Sequence, residues 1–198
     1  MTFLKKLRRP SLSKGFTLVE LLVVIAIIGV LSTLLLLQLN VARAKARDAK
    51  RVADINQVRS AIELFYDDNG HYPIWSEMST YTQAQLKLNK YLVKVPLDPG
   101  NGCISDAGFT GPNNGTIQCY AYADSPVTNP VNPTKFHLWA ELEQKATTAL
   151  ANDLDFNSTN TTDWPTAEGK IINASTAATE NCTSSTAVDC IYDLGQPN

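Results

Sequence analysis

The stretch KGFTLVELLVVIAIIGVL, residues 14–31, decides how the N-terminal part of this chain folds. It opens an apolar run that continues to Leu37 and is interrupted from Leu21 onward by only three small residues. As an α-helix rising ~1.5 Å per residue, the run with its flanks is long enough to cross a ~30 Å hydrocarbon core. One carboxylate, that of Glu20, lies near its start. Because a charge in hydrocarbon is costly unless paired, the run raises the question of which group pairs with Glu20.

Charge is distributed unevenly along the 198 residues. Residues 1–15 carry five basic residues and no acidic one, whereas residues 61–198 carry six lysines, no arginine and sixteen acidic residues, a net charge of −10. A basic end, an apolar run and an acidic body predict a protein held in a membrane with its body outward. An acidic body also lacks the basic face that nucleic-acid binding requires, so we expect no direct nucleic-acid partner.

Three hypotheses explain the apolar run. A secretory signal removed near Ala42-Arg43-Ala44 fits poorly, since the run is long for such a signal and contains a glutamate. A plain membrane anchor leaves Glu20 unexplained. Cleavage between Gly15 and Phe16 places a new α-amine four residues before Glu20, so that this amine, or that of a neighbouring copy, pairs with the carboxylate. We favour the third hypothesis and expect Glu20 to act in assembly.

The same residues resemble the signal of type IV pilins and type II secretion pseudopilins: Gly15 before the cut, Phe16 after it, Glu20 as the fifth mature residue, and the aliphatic run. The resemblance implies that a membrane-embedded prepilin peptidase and methyltransferase cuts after Gly15 and methylates Phe16. It also implies assembly into a filament with copies of this chain and other pilins on an inner-membrane assembly platform.

The predicted fold is α+β. No proline or glycine interrupts residues 40–69, and Asn69-Gly70 is typical of a helix C-terminus, so one helix should extend from Phe16 to about Asn69. The later segments CYAYADS and KFHLWAELE predict strands, of alternating or half-buried character, in a small antiparallel sheet laid across that helix. The stretches FYDDNGHYP and YLVKVPLDPGNG also resemble major pseudopilins and the pilins close to them. We therefore divide the chain into a leader (1–15), a transmembrane and filament-core helix segment (16–40), a continuing helix packed on the body (41–70) and a globular body (71–198).

The residues from Ala151 onward are rich in Thr, Ser and Asn, and we predict surface loops there with one or two short strands, pinned by disulfides. Four cysteines beyond an export-like segment favour two disulfides over free thiols or a zinc site. Of the three pairings, we favour Cys103–Cys119 and Cys182–Cys190, because each pair brackets one short polar segment.

Two groups of residues raise the question of catalysis or metal binding. His71 and His137 lie in no nucleophile, phosphate-loop or metal motif, so we expect structural roles, no catalytic residue and no enzyme activity. Asp153, Asp155 and Asn157 have the opening spacing of a calcium loop but lack its glycine and its closing acid. We expect a polar turn and no cofactor or metal there, with calcium as the alternative.

A basic cluster on the helix, Arg43, Lys45, Arg47, Lys50 and Arg51, invites a DNA-binding interpretation. We expect instead a solvated helix segment, or one that faces acidic neighbours or lipid headgroups.

The function predicted first is a structural subunit of a surface pilus, located in the cytoplasmic membrane before assembly and on the cell surface afterwards. The first alternative is a pseudopilin in the short periplasmic filament of a type II secretion system. The second is a monomeric, membrane-anchored binding module.

Overall fold

The computed structural model describes residues 15–100, 120–126, 132–144, 147–150, 153–154, 158–159, 162, 164–165, 167–169 and 191–196. The chain divides into two compact units, Met1–Val41 and Ala42–Asn198, and we call the second the head unit. The predicted boundary between the two helix segments, residues 40 and 41, lies within two residues of this division.

A single long helix, α1, extends over Leu18–Asn69. It ends where the sequence predicts, because Gly70 adopts the left-handed conformation (φ 75°) that a side chain disfavours. The Gly70 amide donates to the carbonyl of Tyr66 at 2.7 Å, which closes the last turn. The long predicted helix is thus confirmed.

The remaining elements all belong to the head unit. Three short helices are α2 (Trp75–Met78), α3 (Tyr81–Leu88) and α4 (Thr147–Leu150), and four strands are β1 (Ala121–Ser125), β2 (Lys135–Glu141), β3 (Glu168–Gly169) and β4 (Ile191–Gly195). The strands form one antiparallel sheet in the order β3-β1-β2-β4. The strands predicted at residues 119–125 and 135–143 are confirmed as β1 and β2.

The sheet buries both of its faces. Side chains of one face, among them Tyr122, Phe136 and Leu138, pack with Ile55 and Ile62 of α1 into the main core. The opposite face holds a smaller cluster of Ala121, Ala123, Trp139 and Ile191. Strands covered on both faces have mostly apolar sequences rather than an alternating pattern, and the sequences of β2 and β4 are of this kind.

The prediction of surface loops after Ala151 is confirmed only in part, because Leu154, Thr159, Thr162 and Pro165 are exposed but other described residues of the segment are not. Ser158 and Trp164 are buried, and so is every residue of β4. Residue composition misled here, because a few apolar and hydrogen-bonded residues in a Thr- and Asn-rich segment are enough to seat it on the sheet. One or two short strands were expected in this segment, and two are present, β3 and β4.

Candidate functional site

The first turn of α1 carries Glu20, and the structure gives this carboxylate a local partner. Oε2 of Glu20 accepts hydrogen bonds from the Thr17 amide at 2.9 Å and the Thr17 hydroxyl at 2.7 Å. In return the Glu20 amide donates to Oγ1 of Thr17 at 3.2 Å. These reciprocal bonds form a capping box, which satisfies two amides that a helix N-terminus leaves unpaired.

The role of Thr17 was missed in the sequence analysis, although the sequence carries the signal. Thr17-Leu18-Val19-Glu20 matches the Ser/Thr-x-x-Glu pattern that precedes an apolar helical run. Among the residues that the structure describes, none donates to the second carboxylate oxygen, Oε1. One oxygen of Glu20 therefore caps its own helix while the other is available to a further donor.

The apolar half of α1 exposes its side chains on all sides. Phe16 is 85% exposed, and each large apolar residue described from Leu18 to Val41 is at least 40% exposed. An 18-residue window of α1 has a mean hydropathy of 2.8, so by length and composition the helix is able to cross a membrane. A helix that is apolar all round needs lipid or other helices around it. The predicted cleavage site, Gly15 and Phe16, immediately precedes this helix.

In the head unit, the helix carries a buried charge cluster centred on Arg51. The Arg51 guanidinium, which is fully buried, contacts Asp98 at 2.8 Å, Asp48 at 2.7 Å and Glu143 at 2.8 Å. Asp48 also accepts the backbone amides of Glu143 (2.9 Å) and Gln144 (2.8 Å). The cluster therefore ties the helix to the loop at residue 98 and to the segment just after β2.

Electrostatics keep this cluster charged. Burial opposes the charge of Arg51, but hydrogen bonding to Asp98 and the attraction of that carboxylate outweigh it and raise the pKa of the guanidinium. The hydrogen bond from Arg47 lowers the pKa of Glu143 despite partial burial. Removing one partner of a buried ion pair is strongly destabilising, because it leaves a buried charge without compensation.

The cluster explains the YLVKVPLDPG motif. Leu92 and Val95 are core residues, whereas Asp98 binds Arg51 and accepts the Gly100 amide at 2.6 Å. The spacing of the motif thus places two apolar anchors and one carboxylate under the helix.

The basic cluster was predicted to be solvated or to face acidic neighbours. Some of its residues are exposed to solvent, and the others pair with carboxylates. Arg43 and Lys45 are exposed, whereas Arg47 pairs with Glu143 and Lys50 with Asp54 at 3.6 Å. Arg51 is fully buried, so the solvated interpretation is wrong for it.

His137 lies in the middle of a buried hydrogen-bonded chain. Its Nε2 is 3.0 Å from Oδ2 of Asp193 on β4, and its Nδ1 is 2.9 Å from Oγ of Ser158. Trp139 and Trp164 flank the ring, with centroids 4.5 and 6.2 Å away. Burial lowers the pKa of His137, and the Asp193 carboxylate only partly offsets this.

This hydrogen-bonded group contains the same three residue types, Ser, His and Asp, as a hydrolytic triad. Ser158 is 1% exposed, and His137 and Asp193 are fully buried. A nucleophile must be reached by its substrate, and this hydroxyl is buried. The hydrogen bonds of His137 instead join β2, β4 and the segment at residue 158. The two histidines are not brought together: His71 lies just after α1 and bonds the Tyr72 carbonyl at 2.8 Å.

Several predicted sites fall outside the described residues. All four cysteines (Cys103, Cys119, Cys182 and Cys190) do so, and the disulfide pairing stays a prediction. Asp155 and Asn157 of the candidate calcium loop also lie outside, whereas Asp153 is described and half-buried. Within the described ranges, no cluster of three or more His, Cys, Asp or Glu residues is arranged to hold a metal ion.

The N-terminal residues and the part of the chain that follows them are similar to known proteins. Residues 10–36 match the model of the prokaryotic N-terminal methylation motif. The chain is 35% identical over 102 residues to type II secretion system core protein G of Escherichia coli K12, covering 47% of this chain and 70% of that protein. It is 33% identical over 105 residues to the protein of the same name from Klebsiella michiganensis, covering 48% and 73%.

A fimbrial protein of Neisseria meningitidis serogroup A is 27% identical over 131 residues, which cover 66% of this chain and 68% of that protein. No solved structure matches the chain significantly. With its methylation motif and its solvent-exposed apolar helix, the chain belongs to the family of type IV pilins and type II secretion pseudopilins. Within the family, the relatives named core protein G favour the pseudopilin alternative over the surface pilus expected first.

Proposed function

We propose that this chain is a pseudopilin, a structural subunit of the periplasmic filament of a type II secretion system. The observation that carries the proposal is its likeness to core protein G, which extends over most of the length of that protein. The YLVKVPLDPG motif supports the same assignment through its resemblance to major pseudopilins, and its apolar and acidic residues anchor the loop to the helix of the head unit.

In the proposed mechanism, a prepilin peptidase removes residues 1–15, and the mature chain begins at Phe16. The exposed apolar half of α1 then moves from lipid to the helices of neighbouring copies. In this step it exchanges one apolar environment for another. The N-terminal amine of a neighbouring copy donates to Oε1 of Glu20, the oxygen that the capping box leaves available. That pairing removes an unpaired charge only when the copies are in register, so it selects the axial position of each subunit.

In this function the chain is non-catalytic, and the filament is the working unit. The closed environment of Ser158, His137 and Asp193 supports a structural role for the group that most resembles a catalytic site. Membrane insertion precedes assembly, and the acidic body lies on the periplasmic side.

A surface pilus subunit is the second candidate, supported by the likeness to the meningococcal fimbrial protein. Mass spectrometry of the N-terminal peptide separates the two candidates when it is applied to sheared surface filaments and to membranes of the same cells. A methylated chain starting at Phe16 that stays with the membranes, together with lost secretion when the gene is deleted, supports the pseudopilin. The same peptide in the sheared fraction supports the pilus, and a chain that keeps residues 1–15 everywhere contradicts both.

A further inference from the structure

Two exposed basic residues, Arg43 and Lys45, lie at the start of the head unit, and we call this pair the collar. They flank Ala44, which is 7% exposed and is the first buried residue along the described part of α1. With about 3.6 residues per helical turn, the two basic side chains lie on either side of the buried face of the helix. The collar therefore marks the level at which α1 changes from an exposed helix to a covered one.

The collar has no partner among the described residues, unlike the basic residues that follow it. Arg51 is buried among carboxylates, and Arg47 and Lys50 each pair with one. The chain has no acidic residue between Glu20 and Asp48, and Asp48 is buried and bonded to Arg51. The two positive charges of the collar are therefore available to a partner outside the described part of the chain.

The length of the apolar run determines the depth of the collar in a membrane. The exposed apolar residues of α1 extend from Leu18 to Val41, and the same helix continues through the collar. When the centre of this run lies at the midplane of a bilayer and the helix is upright, the collar lies about 20–23 Å from the midplane. The hydrocarbon core ends at about 15 Å from the midplane and the headgroup layer at about 20–22 Å. Since arginine and lysine side chains extend towards such a layer, the collar lies at the level of the lipid phosphates.

The collar lies on the unusual side of the membrane for basic residues. Basic residues next to a membrane-spanning helix are normally concentrated on its cytoplasmic side, whereas the collar lies on the side of the acidic body. The proposed cleavage after Gly15 removes all five basic residues that precede the helix, and none lies between residues 16 and 42. In the processed chain the collar therefore carries the first basic side chains, and they lie next to the outer surface of the membrane.

We infer that the collar binds the phosphates of anionic phospholipids in the outer leaflet of the cytoplasmic membrane. This contact holds the processed chain at a fixed depth before assembly. A guanidinium donates two parallel hydrogen bonds to a phosphate, and the lysine ammonium adds a second positive charge. The depth of the collar favours a lipid as the partner, because the phosphates lie at the same level. The inference rests on the membrane insertion in the proposed function, and it holds for a pseudopilin and a pilus subunit alike.

Photo-cross-linking of the full chain in nanodiscs tests the inference. The nanodiscs contain a minority of phosphatidylglycerol, which is anionic, among phosphatidylcholine, and a photoreactive amino acid replaces Ala42, an exposed residue beside the collar. Mass spectrometry identifies the cross-linked lipids. Their ratio of phosphatidylglycerol to phosphatidylcholine should exceed that of the bilayer at least about fivefold, the factor expected from the attraction of one basic residue to an anionic surface.

Substitutions of the collar test whether its charge causes the selectivity. Arg43→Gln combined with Lys45→Gln should bring the lipid ratio back to that of the bilayer, whereas Lys45→Arg keeps the charge and should keep the selectivity. Lys94→Gln is the matched control, because it removes an exposed lysine elsewhere in the head unit. An unaltered chain without selectivity, a double variant as selective as the unaltered chain, or cross-links from position 42 to a second chain instead of lipid would overturn the inference.

A second probe at Ile28, in the apolar helix, separates this inference from the proposed function. Lipid adducts from position 28, together with no preference for phosphatidylglycerol at position 42, overturn the role of the collar and leave the membrane-held subunit standing. If neither position forms lipid adducts, membrane insertion is contradicted, and the inference and the proposed function both fail.

Discussion

Glu20 shows how one carboxylate can serve two structural requirements. Within its own chain, Oε2 accepts both donors of Thr17 and closes the first turn of α1. Oε1 is the oxygen to which a neighbouring amine is proposed to donate. The assembly role was predicted from the cost of an unpaired charge. The capping pattern was also present in the sequence, because Thr17 and Glu20 lie close together in the chain.

Substitutions at Glu20 and Thr17 separate the capping role of Glu20 from its proposed role in assembly. Glu20→Gln retains an oxygen that can accept from Thr17 but removes the charge, so helix capping should persist while incorporation into filaments falls at least about tenfold. Thr17→Val removes the capping hydroxyl and should cost the helix about 1 kcal/mol while leaving the charge in place. Quantitative blots of filament and membrane fractions measure the incorporation of both variants, and normal incorporation of Glu20→Gln would show that the charge is not needed.

His137 provides a prediction about pH. Its folded pKa is lowered by burial, so the unfolded chain binds the proton first as the pH drops below about 6.5. The contribution of His137 to stability should therefore be constant above that pH and decrease below it, by at most about 1.4 kcal/mol per pH unit until the folded pKa is reached.

Thermal unfolding of the full chain in detergent, followed by near-UV circular dichroism between pH 5 and 7.5, measures this dependence. His137→Gln should lose the slope attributable to this residue. The same titration of His71→Gln, which removes the other histidine, is the matched control. Equal slopes in the two variants would contradict the assignment to His137.

The sequence predicted a structural role for His137 but not the residues that surround it. Ser158 lies 21 residues away and Asp193 lies 56 residues away, in segments whose composition resembles a loop. Pairings over such distances depend on strand register and tertiary packing, which local patterns do not specify.

At the scale of elements, the helix of the head unit depends on the Arg51 cluster. Arg51→Met removes the cation and leaves Asp48 and Asp98 buried without it, so the free energy of unfolding should fall by about 3–5 kcal/mol. Arg47→Met removes a partly exposed partner of Glu143, and its effect should stay below about 1 kcal/mol. Denaturant unfolding of the two variants measures the difference, and equal losses would contradict the central role of Arg51.

The pairing of β2 with β4 places a strict demand on Gly195. A Cβ atom at this position would lie 2.2 Å from the Phe136 carbonyl oxygen, a backbone atom. Gly195→Ala should force the strands apart and destabilise the head unit by about 1–3 kcal/mol.

Gly29→Ala is the matched control for that prediction, since its Cβ would meet nothing within 4 Å. Thermal unfolding of both variants in detergent provides the comparison. A Gly195→Ala variant as stable as the control would show that the strands can separate at little cost.

Elements with local signals were predictable and the others were not. The long helix, its end at Gly70 and the strands β1 and β2 follow from periodicity, turn residues and apolar runs. The short helices α2 and α3 went unpredicted, because eight residues or fewer give too little periodicity to detect. The burial of β4 depended on a partner strand fifty residues earlier in the chain.

At the scale of the whole molecule, the sequence identified the family and the proposed filament class but favoured the surface pilus. The apolar helix and the cleavage motif are common to both kinds of filament, so they do not separate them. The comparison changed the preference because core protein G is 35% identical over the matched residues and the fimbrial protein only 27%.

The Arg51 cluster also has a mechanical consequence. A pull along the helix within the head unit would load its bonds to Asp98 and Glu143 in shear, together with those from Asp48 to the amides after β2. Several strong bonds loaded side by side break together rather than one after another. Since the arginine is fully buried, dissolved ions screen these bonds much less than surface pairs, and the force needed to detach the helix from the sheet should depend only weakly on salt concentration.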